Sequence, residues 1–303
     1  MLETAQLLLV ATTALVLVAF ACYAVAFWFV HQRAEVRERD AVAVGAPRPA
    51  GPQGAAPPSG SEARRGRDRG VVWLGSTLVK VGLVLLTVSL VTRAMATGHA
   101  PFANHYEFAV SFGWGMILAH VLVEWRYRVR TLGLVILPVI FGMLVYATTL
   151  SYEAKPLMPA LQNSPLLTIH VFCAALSYGA AVIGFGAAVM YLLAPHVPWK
   201  GWPKQELLDE LGYKAVVATF PLLTIMIVLG SIWANVAWGR YWSWDPKETA
   251  ALVTWLVYGS YLHARVTRGW RGSRSAWLLV LGFVAILFTY FGNLFFGGLH
   301  SYA

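Results

Sequence analysis

Eight apolar runs, each long enough to cross a bilayer, constrain this chain more than any other feature. They fall at roughly 5–30, 71–96, 107–125, 131–151, 167–194, 213–233, 249–264 and 276–295. A helix needs about 20 predominantly apolar residues to span the hydrocarbon layer. The runs therefore predict an all-α, polytopic integral membrane protein with about eight transmembrane helices. Composition agrees: of 303 residues, 58% are hydrophobic and 12% are charged, where a soluble domain carries about 25% charge.

Basic residues set the expected orientation. With the N-terminus outside, the inner loops are 31–70, 126–130, 195–214 and 264–275, and they hold 18 of the 23 Lys and Arg. The positive-inside rule then places both termini on the extracytoplasmic side. The leader "MLETAQ" has no Lys or Arg, and "HQRAEVRER" follows the first apolar run. That charge order favours an anchor over a cleaved signal peptide. Residues 1–30 thus read as a transmembrane anchor, 31–70 as a basic cytoplasmic linker and 71–303 as the main membrane domain. The Pro-, Gly- and Ala-rich stretch 41–70 cannot bury a core and predicts disorder. Lys and Arg scattered over short loops make no nucleic-acid patch, despite a net charge of +9. The chain has no P-loop, GxGxxG, HExxH or CxxC pattern, which argues against ATP hydrolysis, a dinucleotide site or a thiol pair. Cys22 and Cys173 both lie inside apolar runs.

One stretch concentrates aromatic surface beside charge: "WGRYWSWDPKE" at 238–248. It is either an aromatic belt at the lipid interface or a shelf for a flat apolar ligand. Its end, "DPKE", reads first as a helix start, with Asp245 as N-cap, Pro246 in the first turn and Glu248 near the positive helix end. Chemistry is the second reading.

Span counting puts two of the eight histidines at the same outer level. His170 lies about one turn into the fifth run, and His300 lies just past the eighth, in "GGLHSY". Neutral imidazole is a common axial ligand of haem iron, so two imidazoles beside an aromatic shelf are what a bis-histidine haem site needs. An interfacial His and a terminal His are the alternative. His263 sits near the inner end of the seventh run, fifteen residues and about 22 Å of helix from Glu248. Glu248, Leu252, Trp255, Gly259 and His263 form one helical stripe with a notch at Gly259. An ionisable residue inside a membrane is a functional candidate; an interfacial His beside Arg265 is the competing reading. His120 reaches a similar depth on the third run, where helix packing is the simpler role. The loop "TGHAPFANHYE" holds His99, His105 and Glu107, but their spacing matches no zinc pattern. His31 and His196 fall at loop edges. Lys80 and Arg93 sit inside the second run with no role legible.

Together, "WGRYWSWDPKET", "LMPALQNSPLLTIHVFCAALSYG", "GHAPFANHYE" and the closing "GLHSY" resemble the CcsA (ResC) branch of system II cytochrome c biogenesis, with its tryptophan-rich WWD motif. The resemblance covers about 71–303. It implies a haem-handling subunit that pairs with a CcsB (ResB) type membrane partner to export haem and attach it to an apocytochrome c carrying CxxCH. It implies haem b as cargo, and membrane lipid as surroundings. The membrane would be the bacterial plasma membrane, or the thylakoid in a plastid-type system, with the active site on the extracytoplasmic face. By the same resemblance His170 and His300 are the outer axial ligands and His263 is this subunit's intramembrane ligand. The partner supplies the second inner ligand; without a partner, His120 is the substitute.

On that reading Trp238, Tyr241, Trp242 and Trp244 present flat surface to the porphyrin. Arg240 and Lys247 are near enough in sequence to meet its propionates, and Asp245 belongs to the same site. No catalytic nucleophile is needed, because the reacting thiols belong to the apocytochrome. Synthase activity is expected only in complex with the partner. Two rivals remain: a WWD-type haem carrier without attachment activity, and a polytopic transporter subunit that binds no haem.

Overall fold

The computed structural model describes residues 1–44, 60–154, 156–157, 161–162, 165–197, 199 and 201–300. Eight long helices account for the apolar runs: α1 (Leu2–Val44), α2 (Gly60–Thr97), α3 (His105–Tyr127), α4 (Gly133–Thr149), α5 (Pro165–Leu193), α6 (Gln205–Trp238), α7 (Pro246–Thr267) and α8 (Ser273–Phe291). Among the described residues there is no strand. Seven of the helices are long and apolar enough to cross a membrane; α7 is not among them. Its 22 residues rise about 33 Å, but they include Lys247, Glu248 and Arg265, and its buried positions are Ala250, Thr254, Tyr258 and Tyr261. Of the stretch read as a linker, 31–44 and 60–70 are helical, and 45–59 lie outside the described residues.

The helices form a bundle in which α5 is central, packing on α3, α6 and α8. α1 and α2 form a hairpin that leans on α4 and α3. The backbones of α3 and α5 meet at Gly115 and Gly179. A Cβ on Gly179 would lie 2.3 Å from the Gly115 carbonyl oxygen, and one on Gly115 would lie 2.2 Å from that of Ala175. Small residues allow this approach, which is how membrane helices gain contact without a hydrophobic drive.

Arg93, unexplained by its place in the sequence, is a buried staple. Its Nε donates to Glu107 Oε1 at 2.7 Å and its Nη1 to the Tyr152 carbonyl at 2.6 Å. The guanidinium also lies 4.7 Å from the Tyr106 ring centre. Glu107 Oε2 accepts from Ala103 N at 2.7 Å, while Asn104 Oδ1 caps α3 by accepting from Glu107 N. One ion pair thus ties α2, the 98–104 turn, the start of α3 and the segment after α4. At the opposite end of the bundle, Arg265 forms a two-pronged pair with Asp209, at 2.8 and 2.7 Å, joining α7 to α6. Such planar fork contacts fix orientation as well as distance.

Candidate functional site

The turns after α2, α4, α6 and α8 gather at one end of the bundle, and a cavity opens there. Its empty space, open mouth included, is about 920 Å³. Phe112, Tyr178 and Tyr290 line it from α3, α5 and α8.

His170 enters from α5. Its Nδ1 lies 2.6 Å from the Met226 carbonyl oxygen on α6. A carbonyl only accepts, so Nδ1 carries the proton and Nε2 carries the lone pair. Space for the ring comes from Gly230, where a Cβ would lie 2.6 Å from His170 Cε1. Met226, Gly230 and Trp233 are spaced i, i+4, i+7 on α6, so they form a single cavity-facing stripe.

His300 enters from the turn after α8. Its Nδ1 lies 2.8 Å from Asp245 Oδ2, so the donated proton again sits on Nδ1. Its ring packs edge-on against Trp238, with centroids 4.9 Å apart, and 6.1 Å from Trp233. Asp245 does three things with one carboxylate. Oδ2 also accepts from Lys247 N at 3.1 Å, capping α7, and Oδ1 accepts from Leu299 N at 2.6 Å. Glu248 completes the capping box from Oε2, accepting from Asp245 N and from Ser243 N. Burial pushes the Asp245 carboxyl up, but the bonds from His300 and the two backbone N–H groups outweigh it and hold it below the ordinary carboxylate value. Burial pushes the His300 imidazole down, against the pull of Asp245. Both directions favour an ionised Asp245 beside a neutral His300.

The structure brings His170, His300, Tyr241, Trp242 and Lys247 into this one cavity lining, with Trp238 behind His300 and Asp245 beneath it. The Lys247 ammonium lies 5.3 Å from the Phe108 ring centre. Arg240 is exposed and outside the lining; Trp244 is 69% exposed and meets Trp242 edge-on. His263 is exposed at the far end of α7. The notch at Gly259 is covered by Phe220, which stacks on Trp255. His120 is buried at that far end with Glu124 Oε2 3.5 Å away, and Glu124 also bonds the Tyr23 hydroxyl. His105 and Trp233, like the aromatic walls Phe112, Tyr178 and Tyr290, line the cavity without having been placed there from the sequence. Trp233 was findable from the helical stripe through Gly230; His105 stood out in "TGHAPFANHYE", but only as a weak zinc candidate.

Among the described residues, no group of three or more His, Cys, Asp or Glu is arranged to hold a bare ion. Two imidazoles beside flat aromatic walls suit an iron whose other ligands come from a porphyrin.

Fold and site together define a polytopic helical membrane protein with a histidine-bearing aromatic cavity at one end of the bundle. The Cytochrome C assembly protein family model matches residues 102–300. The chain is 37% identical over 263 residues to the "Cytochrome c biogenesis protein CcsA" of Guillardia theta, covering 77% of this chain and 87% of that one. It is 40% identical over 239 residues to CcsA of Chlamydomonas reinhardtii, covering 74% and 67%. The chain therefore belongs to the CcsA family of cytochrome c biogenesis proteins, and it is an integral membrane protein. It also shares its fold with a solved "Cytochrome c Heme Lyase CcmF", with a TM-score of 0.59 at 18% identity. That match covers 96% of this chain and 46% of CcmF, so the chain spans about half of that structure.

Proposed function

We propose that the cavity holds haem b as cargo between His170 and His300, and that the chain delivers it for covalent attachment to a CxxCH apocytochrome c together with a CcsB-type subunit. The observation that carries this reading is the matched tautomer. Each imidazole donates its Nδ1–H to a fixed protein oxygen, leaving Nε2 as the ligating atom. Metal-bound histidines are oriented this way by their outer partners. Trp233, Trp238, Trp242 and Tyr241 supply flat apolar surface, and Lys247 brings an ammonium to the rim for a propionate. His263 is the ligand we assign to an inner site shared with the partner subunit, and its exposure at the far end of α7 supports that reading. The cavity end faces the extracytoplasmic side, and the membrane is the bacterial plasma membrane or a thylakoid.

Attachment adds a thiol S–H across a haem vinyl group, so the chain's own residues position and shield but supply no nucleophile. Good positioning alone lowers such barriers by up to about 7–11 kcal/mol. The test is the absorption spectrum of the purified chain, with and without the CcsB-type subunit. A Soret band altered by His170→Ala and His300→Ala supports the site, and its absence in both preparations refutes haem binding. Coexpression with an apocytochrome in a strain without its own maturation system then reads attachment. A Soret band with no covalent product leaves a carrier without synthase activity.

A further inference from the structure

Three imidazoles line the cavity, and only two are held from behind. His170 donates its Nδ1–H to the Met226 carbonyl and His300 donates to Asp245. The third, His105, opens α3; it is half-buried, and its ring makes no hydrogen bond among the described residues. Its backbone is nonetheless fixed. Asn104 caps the helix by accepting from Glu107 N, and the Tyr290 hydroxyl donates to the His105 carbonyl at 3.3 Å. The Tyr290 ring stands edge-on to the imidazole, with centroids 6.5 Å apart. A ring placed this firmly at a cavity wall has an N–H to give and nothing in the chain to receive it.

A second donor comes to the same place from α7. Lys247 reaches to α3, where its ammonium lies 5.3 Å from the Phe108 ring centre. His105, Phe108 and Phe112 are spaced i, i+3, i+7 and all line the cavity, so they share one face of α3. Helical side chains lean toward the N-terminus and cover the preceding turn. That brings the Phe108 ring, and the ammonium over it, beside His105. Phe108 and Phe112 stack at 6.4 Å with planes 16° apart, so the two donors stand at the end of a flat aromatic wall. Among the described residues Lys247 has no ion pair. The neighbouring carboxylates are already engaged: Asp245 by His300 Nδ1, Lys247 N and Leu299 N, and Glu248 Oε2 by Ser243 N, Ser243 Oγ and Asp245 N. A charge drawn out of water ordinarily finds a partner, and here the described acids leave that place open.

We propose, resting on the haem reading above, that His105 and Lys247 form a two-donor clamp for one carboxylate of the cargo. The cavity then selects porphyrins with free propionates and seats that edge against α3. His105 gives a ring N–H to a carboxylate oxygen, and the Lys247 ammonium beside it neutralises the charge. Hydrogen bonds of this charge-assisted kind are the strong ones. His105 is thereby a specificity residue and not an iron ligand, unlike the two imidazoles whose Nδ1 atoms are occupied from behind. With the propionate edge fixed, the porphyrin cannot turn in its own plane, and each vinyl group keeps one position relative to the cavity mouth.

The purified full chain is titrated in detergent with iron protoporphyrin IX and with its dimethyl ester, which keeps the iron, ring and vinyl groups but has no free carboxylate. Followed at the Soret band, the wild-type chain prefers the free acid by about 10-fold or more. His105→Phe and Lys247→Met each reduce that preference, and the double variant brings it near one, by weakening the free acid rather than by strengthening the ester. His105→Gln, which keeps an N–H donor, retains part of it. Where His105→Phe fails to fold, Lys247→Met, matched in length, carries the test. Equal binding of the two porphyrins by the wild type overturns the clamp, as does a preference that survives in the double variant. A Soret position moved by His105→Phe in the ester complex makes His105 an iron ligand and overturns it too. Failure of the haem reading looks different: neither porphyrin gives a Soret shift with the wild-type chain, which removes cargo and clamp together.

Discussion

Asp245→Asn separates the two duties of one side chain. The native carboxylate meets three donors: His300 Nδ1 and Lys247 N on Oδ2, and Leu299 N on Oδ1. Asparagine keeps the shape but has a single acceptor oxygen, so its NH₂ must face one of those donors. If it faces His300, the imidazole flips tautomer, accepts at Nδ1 and carries its proton on Nε2, the atom proposed to ligate. If it faces Leu299, a buried N–H loses its partner. Losing a hydrogen bond to a charged group costs about 1.5–3 kcal/mol. Disturbing the outer partner of a metal-bound histidine typically lowers metal affinity by about 10–100-fold. An NH₂ turned to His300 also faces Lys247 N, because both bonds use Oδ2, but Glu248 still accepts from the residue-245 N and holds the start of α7. The expectation is about 10–100-fold weaker haem retention in a Soret-monitored titration, with a melting temperature close to wild type. Asp245→Ala, by contrast, loses the cap as well and costs about 1 kcal/mol more. Wild-type haem affinity in Asp245→Asn would refute the assigned role of the His300–Asp245 bond.

Acidification supplies a second test. His300 is held below the ordinary imidazole value, so below about pH 6.5 the unfolded chain binds the proton more readily. Stability and haem retention therefore rise with pH through the window just under pH 6.5 and level off above it, as melting and Soret titrations across pH 5–8 will show. Gly230→Ala places a Cβ 2.6 Å from His170 Cε1; overpacking of this kind costs about 1–3 kcal/mol, and displacement of His170 weakens haem binding at least tenfold by spectral titration. Arg93→Ala strands Glu107 without its cation and costs about 3–5 kcal/mol, read as a fall in melting temperature together with faster proteolysis of the 98–104 turn.

Much of the architecture was legible because membrane helices advertise themselves by length and apolarity. The helix start at Asp245 was legible too, since capping is local chemistry written in four consecutive residues. His170 and His300 could be placed at one level by counting spans. What periodicity does not reveal is which stripe of a helix meets a neighbour. On α7 the stripe through Gly259 and His263 drew attention, yet His263 is exposed and Phe220 covers the notch. The adjoining Thr254–Tyr258–Tyr261 stripe is the buried one. The same limit hid the bond from Asp245 to His300 and the ion pair of Arg93, because each joins residues brought together only by packing. α7 itself reads as a span by position but is too polar to qualify by composition, with Lys247, Glu248, His263 and Arg265 inside its bounds.

The contact of Gly115 with Gly179 behaves mechanically as a pivot. His105 stands ten residues from Gly115 and His170 nine residues from Gly179, both on the cavity side, giving lever arms of about 15 and 14 Å. Because main-chain atoms touch at the fulcrum, no rotamer change there can absorb an error. A spacer of one methyl group would splay the two arms, and the displacement at the cavity rim would be a matter of angle multiplied by length. The width of the cavity on that side is therefore set by two missing side chains in the middle of the bundle, just beneath the wall residues Phe112 and Tyr178.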